Sequence, residues 1–159
     1  MIEKKISMKS IKKYLNQDLN NPTYLFHGSP YKLTKITPKL SHDSNNNLVN
    51  IAEAIFLFPS FIKATAYAFK DTIKKNSVNL EWNFKISNYD EFPVMIMENV
   101  NIDENIIGYI YVFNYDSEIK KDEGCSLQYK SYKELVPIDI VEIKYKDYKN
   151  YYKIVNKCE

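Results

Sequence analysis

The sequence contains no arginine, since all 22 of its basic residues are lysines. A mechanism in which a guanidinium group grips a phosphate or carboxylate with two parallel hydrogen bonds is therefore excluded within this chain. The lysines are balanced by 20 acidic residues, and the net charge of +2 predicts no strong field toward nucleic acid or a membrane surface.

Cysteine and histidine are also scarce. Cys125 and Cys158 form no CxxC pair, which favours reduced thiols and a cytoplasmic location over a disulfide framework. His27 and His42 belong to no cluster with metal-ligand spacing, so we expect no metal. No apolar run is long enough to cross a bilayer, and the N-terminus lacks the apolar centre of a secretory signal, so we expect no membrane partner.

The chain is 159 residues long and 45% hydrophobic, which suits one compact domain with an ordinary core. Residues 1–21 are predicted to form an N-terminal helical segment, and residues 22–159 the core of the domain. Together with the missing membrane and secretion signals, this composition indicates a soluble single-domain protein.

Hydrophobic periodicity predicts both helices and strands. Apolar residues recur at helical spacing over 7–19 and over 62–73, where Pro59 and Ser60 precede the second stripe. Strands are predicted over 24–26, 54–58, 78–86, 107–113 and 138–143, with another starting at 94. Because few long crossovers separate these strands, we expect mainly antiparallel sheet and an α+β fold.

Three consecutive residues at the end of the first predicted strand, His27, Gly28 and Ser29, are the first candidate for a binding site. A neutral imidazole at a strand end can hold a ligand hydroxyl, and a glycine lets a flat ligand approach and bond the main chain. The alternative is a strand end whose histidine is satisfied within the protein.

Two further candidates follow along the chain. Phe56, on a strand, and Tyr67, in the next helix, can flank a flat heterocycle, although aromatic residues at such spacing also serve as core packing. Glu134 precedes a late strand, where a carboxylate can anchor a ribose hydroxyl and stabilise an oxocarbenium-like transition state. The alternative for Glu134 is a solvated loop residue.

These segments together resemble the three motifs of the ADP-ribosyltransferase superfamily, in its histidine-containing, diphtheria-toxin- and PARP-like branch with small bacterial members. Residues 24–29, YLFHGS, are similar to the "HGS/HGT" signature, and 55–67 to the aromatic-strand and helix motif. Residues 133–139, KELVPID, resemble the glutamate motif. The resemblance implies mainly antiparallel split sheets around a cleft with flanking helices.

The resemblance also implies roles for these residues. NAD would be the substrate, with His27, Gly28 and Ser29 contacting its ribose and carboxamide groups and Phe56 and Tyr67 enclosing the nicotinamide. The catalytic residues would be Glu134 and His27. ADP-ribose would pass to an unknown acceptor: a protein, a nucleic acid, a small molecule or water.

The departures from the motifs leave alternatives open. The branch usually has tyrosine where this chain has Phe56, and often a serine where it has Ala64, so a catalytically inactive binding protein of the same fold is one alternative, and an unrelated α+β protein another. The absence of arginine excludes the toxin branch with a catalytic arginine and the RNA 2′-phosphotransferase branch. The NAD pyrophosphate would then be met by main-chain amides or by lysines such as Lys32 or Lys63.

The C-terminal tail, residues 145–153, interleaves tyrosine with lysine. This composition is compatible with binding of a single-stranded nucleic acid. A solvated sheet edge or a terminal helix explains it as well, and the small net charge of +2 favours this second interpretation.

Overall fold

The structure is a computed structural model, and it describes residues 11–33, 36–37, 39–41, 52–76, 94–97, 102–117, 119–121 and 128–156. The strand predicted over 78–86 lies outside these ranges. Within them, no helix is long and apolar enough to cross a membrane.

Helices and strands alternate irregularly along the chain, as expected of an α+β fold. The helices are α1 (11–15), α2 (Phe61–Asn76) and α3 (Tyr145–Tyr148), the last followed by a 3₁₀ turn, Lys149–Tyr151. The strands are β1 (Tyr24–Ser29), β2 (Lys39–Ser41), β3 (Ala52–Leu57), β4 (Val94–Met97), β5 (Ile107–Asn114), β6 (Lys120–Lys121), β7 (Tyr129–Ser131), β8 (Asp139–Lys144) and β9 (Lys153–Asn156).

The strands form three small sheets. One has the order β1–β5–β8 and another the order β2–β3–β7–β6, and every pair in both is antiparallel. The third pairs β4 with β9 in parallel. The prediction of an α+β fold with mainly antiparallel sheet is therefore confirmed.

Helix α2 begins and packs as its sequence predicts. The hydroxyl of Ser60 accepts a hydrogen bond from the main-chain N–H of Lys63, which caps the helix start directly after Pro59. Its apolar stripe is buried against β1, β5, β8 and α3, and this first core cluster includes Ile62, Ala66, Phe69 and Ile73.

A second core cluster fills the space between the three-stranded and four-stranded sheets. It contains Leu25 and Tyr111 from the first sheet and Ile55 and Leu57 from the second. Because side chains alternate along a strand, Phe56 projects from the opposite face of the four-stranded sheet, where it packs against the first core cluster.

Two expectations need correction. Helix α1 ends at residue 15 and does not reach 19, because the chain turns there and the Gln17 side chain bonds the main chain near β1. Three of the four tyrosines of the tail, Tyr145, Tyr148 and Tyr152, are buried in the first core cluster, whereas Tyr151 is exposed. Binding of a single strand by aromatic stacking on these three residues is therefore not supported.

Candidate functional site

Strands β1 and β3 meet at one antiparallel bridge and then diverge. At this bridge Phe26 and Phe58 exchange two main-chain hydrogen bonds, each 2.8 Å long. The next pair in the same register would be Gly28 and Phe56. Instead, the Phe56 carbonyl is bonded by the Nδ1 atom of His27, at 2.8 Å. We call the opening between β1 and β3 beyond this bridge the fork.

Main-chain groups of both strands are directed into the fork. In a strand, every second residue directs its N–H and C=O to the same edge. Since Phe26 and Phe58 direct theirs toward each other, Gly28 and Phe56 also direct theirs toward the space between the strands. A planar amide that enters the fork would meet donors and acceptors already in sheet geometry.

The bond to β3 fixes the orientation of the His27 ring. A carbonyl oxygen can only accept, so Nδ1 carries a hydrogen, and in the neutral form of the ring Nε2 is the acceptor nitrogen. The ring lies across from Tyr111 in the β1–β5 register, with the two ring centroids 6.5 Å apart. The imidazole is thus held in an orientation that suits a ligand hydroxyl at Nε2.

Gly28 has a packing role that its sequence position alone did not indicate. A Cβ atom there would lie 2.1 Å from the carbonyl oxygen of Ala64 and 2.8 Å from the N atom of Ala68. Helix α2 therefore occupies one side of Gly28, where we had expected only the approach of a ligand. The main-chain edge that faces the fork is a different direction, and the two roles are compatible.

The loop after His27–Gly28–Ser29 is held by two hydroxyl groups. Ser29 is buried, and its Oγ accepts from the N–H of Tyr31 at 3.1 Å. The hydroxyl of Tyr111 donates to the Tyr31 carbonyl at 2.6 Å and accepts from the N–H of Leu33. Ser29, predicted to contact NAD, uses its hydroxyl within this loop.

Tyr111 stays protonated at neutral pH. Burial is the largest influence and raises the pKa of the phenol, while the Leu33 N–H acts in the opposite direction. The hydroxyl can therefore keep donating to the loop.

The other end of the fork, where the strands are joined, is fastened by Gln17. Its amide nitrogen donates to the carbonyls of Tyr24, at 2.9 Å, and Pro59, at 2.7 Å. Its amide oxygen accepts from the N–H groups of Thr23 and Tyr24. One side chain thus links the segment before β1 with the end of β3.

Several aromatic side chains lie beside the fork, but the rings that contact each other are not the pair that we expected. Tyr67 stacks on Phe58, with ring centroids 4.7 Å apart and planes 12° apart. Rings at this separation are in direct contact and leave no space between them for a heterocycle. The enclosure of a ligand ring by Phe56 and Tyr67 stays a prediction.

Glu134 lies in the segment that follows β7. Ser131, the last residue of β7, is opposite Ile55 of β3. Both β7 and β1 are antiparallel to β3, so the chain after β7 and the chain after β1 run toward the same end of β3, where β3 begins. Leu135 and Ile36 then exchange main-chain bonds of 2.9 and 3.0 Å. This pairing ties the exposed Glu134 to the segment that follows the His27 loop.

Three residues that shape this site were not predicted from the sequence. Phe58 lies two residues after Phe56 on the same face of β3, so strand alternation could have suggested it. Tyr111 is a phenol in the centre of a buried strand, where its hydroxyl requires a partner. Nothing in the sequence distinguishes Gln17 from any other polar residue after a short helix.

The described residues contain no group of three or more histidine, cysteine, aspartate or glutamate side chains that could hold a metal ion. The fork offers an imidazole, aromatic rings and main-chain amides, and Glu134 adds a carboxylate in the segment after β7.

Comparisons with protein-family models, curated proteins and solved structures gave no match for this chain. Any functional reading therefore depends on the motif residues and on the geometry of the fork.

Proposed function

We propose that the protein binds NAD in the fork and cleaves its nicotinamide–ribose bond, acting as an ADP-ribosyltransferase or NAD glycohydrolase. The observation that carries the proposal is the interrupted pairing of β1 and β3 at Gly28 and Phe56. An unfilled ladder position flanked by a glycine, an aromatic residue and an oriented histidine suits a flat ring that bears a carboxamide.

In the proposed complex, the nicotinamide carboxamide bonds the main chain of Gly28, in place of the missing strand partner. Phe56 borders the ring, and Nε2 of His27 accepts a hydrogen bond from a ribose hydroxyl. Each contact uses a group whose direction follows from the β1–β3 geometry and the His27–Phe56 bond.

The reaction breaks the bond between the ribose anomeric carbon and the pyridinium nitrogen, and the electron pair leaves with neutral nicotinamide. The anomeric carbon becomes oxocarbenium-like, and the Glu134 carboxylate stabilises its positive charge. An acceptor oxygen or nitrogen then attacks this carbon and loses its proton. With water as the acceptor, the products are nicotinamide, ADP-ribose and a proton.

The first experiment measures nicotinamide release from NAD by the purified protein and by its Glu134→Gln variant. We expect release to fall by about 100-fold or more, because a charge that stabilises the transition state is lost. Glu142→Gln, which alters an exposed glutamate on β8, is the matched control and should retain activity. Equal release from wild type and Glu134→Gln would contradict the assignment of Glu134.

NAD binding is measured on the same samples by calorimetry, with His27→Ala as the second variant. We expect this variant to bind NAD about tenfold more weakly, since a hydrogen bond to the ligand is removed. Absence of NAD binding by the wild-type protein would refute the proposal, whatever the acceptor.

A second candidate is a binding protein of the same fold without catalytic activity. It is favoured by Ala64, which is fully buried with its carbonyl directed at Gly28, where the superfamily often has a serine that supports the carboxamide. NAD binding without nicotinamide release, with and without added protein and nucleic-acid acceptors, would support this candidate.

A further inference from the structure

Tyr109 of β5 projects from the same face of the three-stranded sheet as His27. In the β1–β5 register, Tyr109 lies directly opposite Ser29. The next pair on the same face is His27 and Tyr111, whose ring centroids are 6.5 Å apart. Tyr109 is therefore the diagonal neighbour of His27. Diagonal neighbours lie about 7–8 Å apart, which is within reach of an aromatic side chain.

This face is turned toward the four-stranded sheet. Tyr111 belongs to the second core cluster, between the two sheets, and the half-buried Tyr109 packs against that cluster. Leu33 and Leu135 pack against it as well. Leu33 lies in the loop after β1, and Leu135 directly follows Glu134. Tyr109 thus shares a core cluster with both segments that adjoin the candidate site.

The hydroxyl groups of Tyr109 and Tyr111 are used differently. The Tyr111 hydroxyl donates to the Tyr31 carbonyl, at 2.6 Å, and accepts from the N–H of Leu33. Within the part of the chain that the structure describes, the Tyr109 hydroxyl has no hydrogen-bond partner. The two phenols are nevertheless close, since burial and, to a smaller extent, the Tyr109 phenol raise the pKa of Tyr111.

The Tyr109 hydroxyl is also accessible. Among the described residues, no fully buried side-chain nitrogen or oxygen lacks a hydrogen bond. A hydroxyl without a protein partner must therefore reach the surface of the cleft between the sheets. The ring of Tyr109 contributes packing that a phenylalanine would supply equally, and its hydroxyl is left for a ligand.

We propose that the Tyr109 hydroxyl binds the ligand of the fork, and that it and His27 each take one hydroxyl group of the same ribose. This rests on the proposed function, in which Nε2 of His27 accepts from a ribose hydroxyl. A ribose carries two adjacent hydroxyl groups, and a phenol can donate to or accept from the second of them. The pair would make the site specific for a ribose over a deoxyribose, because a missing hydroxyl removes one bond.

The test measures NAD affinity by calorimetry in the Glu134→Gln background, where NAD is not consumed, with and without Tyr109→Phe. We expect about tenfold weaker binding in Tyr109→Phe, since one hydrogen bond to the ligand is lost. The midpoint of urea denaturation should not change, because the hydroxyl bonds no other described residue.

The matched control is Tyr115→Phe in the same background. Tyr115 is an exposed tyrosine directly after β5, where its N–H bonds the carbonyl of Thr23. It lies six residues from Tyr109, or about 20 Å along the extended chain, toward the joined end of the fork. We expect it to bind NAD as the background protein does.

Two NAD analogues test the contact itself, one without the 2′ and one without the 3′ hydroxyl of the nicotinamide-side ribose. The background protein should bind one of them about tenfold more weakly than it binds NAD. Tyr109→Phe should bind that analogue and NAD equally, since the partner of the missing hydroxyl is already absent.

The proposal is overturned if Tyr109→Phe binds NAD as tightly as the background protein, if Tyr115→Phe loses as much affinity, or if Tyr109→Phe loses discrimination against neither analogue. A lower urea midpoint in Tyr109→Phe would also overturn it, because the hydroxyl would then serve the fold. The proposed function fails separately. NAD binding that requires Tyr109, without nicotinamide release by the wild type, would retain the ribose contact and remove the reaction, and absence of NAD binding would overturn both.

Discussion

The two ends of the fork are built from different kinds of hydrogen bond. At the joined end, Phe26 and Phe58 complete their main-chain pairing, and Gln17 fastens the adjoining segments with an amide, a group that does not titrate. At the open end, side chains replace the ladder: the His27 imidazole bonds β3, and the Tyr111 hydroxyl holds the following loop.

Within this pair of strands, the joined end therefore serves stability and the open end serves ligand binding. Main-chain and amide groups at the joined end are bonded to one another within the protein. Imidazole and hydroxyl groups have further donor or acceptor capacity, so a ligand at the open end can join their networks without opening the sheet. Substitutions at the joined end should therefore reduce stability, and substitutions at the open end should change loop order and ligand affinity.

The largest effect is expected for Gly28→Ala, because Gly28 packs against helix α2 and also borders the fork with its main chain. The added methyl group would lie 2.1 Å from the Ala64 carbonyl oxygen, a rigid helix atom, so either α2 or β1 must shift. We expect the free energy of unfolding to fall by about 3 kcal/mol, measured by urea denaturation.

Gly108→Ala is the matched control for this prediction. Its Cβ would lie 2.9 Å from the Cβ of Ala68, a side-chain atom, and we expect a smaller loss of about 1 kcal/mol. Equal losses at the two glycines would show that α2 is not seated tightly on β1.

A smaller loss is expected for Gln17→Ala at the joined end. Four main-chain partners, including the carbonyls of Tyr24 and Pro59, would lose their hydrogen bonds, and we expect a cost of about 2 kcal/mol in urea denaturation. Asn16→Ala, at an exposed neighbour, should cost less than about 0.5 kcal/mol. A cost at Gln17 no larger than that at Asn16 would contradict the fastening role.

At the open end, Tyr111→Phe should lower stability by only about 1 kcal/mol and act mainly on the loop. The Leu33 N–H would lose its acceptor, so its hydrogen exchange should become faster while exchange in the centre of α2 stays slow. Tyr109→Phe is the control on the same face of β5. If hydrogen exchange at Leu33 did not change, the Tyr111 hydroxyl would not be what holds the loop in place.

The smallest effect at neutral pH is expected for Tyr14→Phe, whose consequence appears in alkali. Burial, and then the hydrogen bond and charge of Asp139, raise the pKa of Tyr14 above the ordinary tyrosine value of about 10. The unfolded chain therefore loses this proton first, and stability should fall as pH rises above about 10. The variant should show a shallower loss of stability in urea titrations above that pH than the wild type.

The sequence predicted the elements of the fold better than their contacts. Helix α2 and strand β5 were predicted almost to their ends, because each has a long periodic apolar pattern and α2 follows Pro59 and a capping serine. Helix α1 was predicted too long, since its end is set by the tertiary bonds of Gln17. No local pattern encodes such a contact.

The candidate site shows the same division. His27, Gly28 and Glu134 were selected from short motifs, and the structure adds the fork that relates the first two to β3. The stacking of Tyr67 on Phe58 and the position of Tyr109 opposite Ser29 depend on packing and register across separate elements. Periodicity along one segment carries no information on either.

The pairing of β1 with β5 also affects how the protein folds during its synthesis. Leu25 pairs with Phe113, so β1 leaves the ribosome 88 residues before its partner in β5. At about 5–20 residues per second, the strand that carries His27 waits roughly 4–18 s before β5 can pair with its edge. Ribosome-bound chains that stop before β5 should therefore be cut by protease at β1, and chains that extend beyond it should resist.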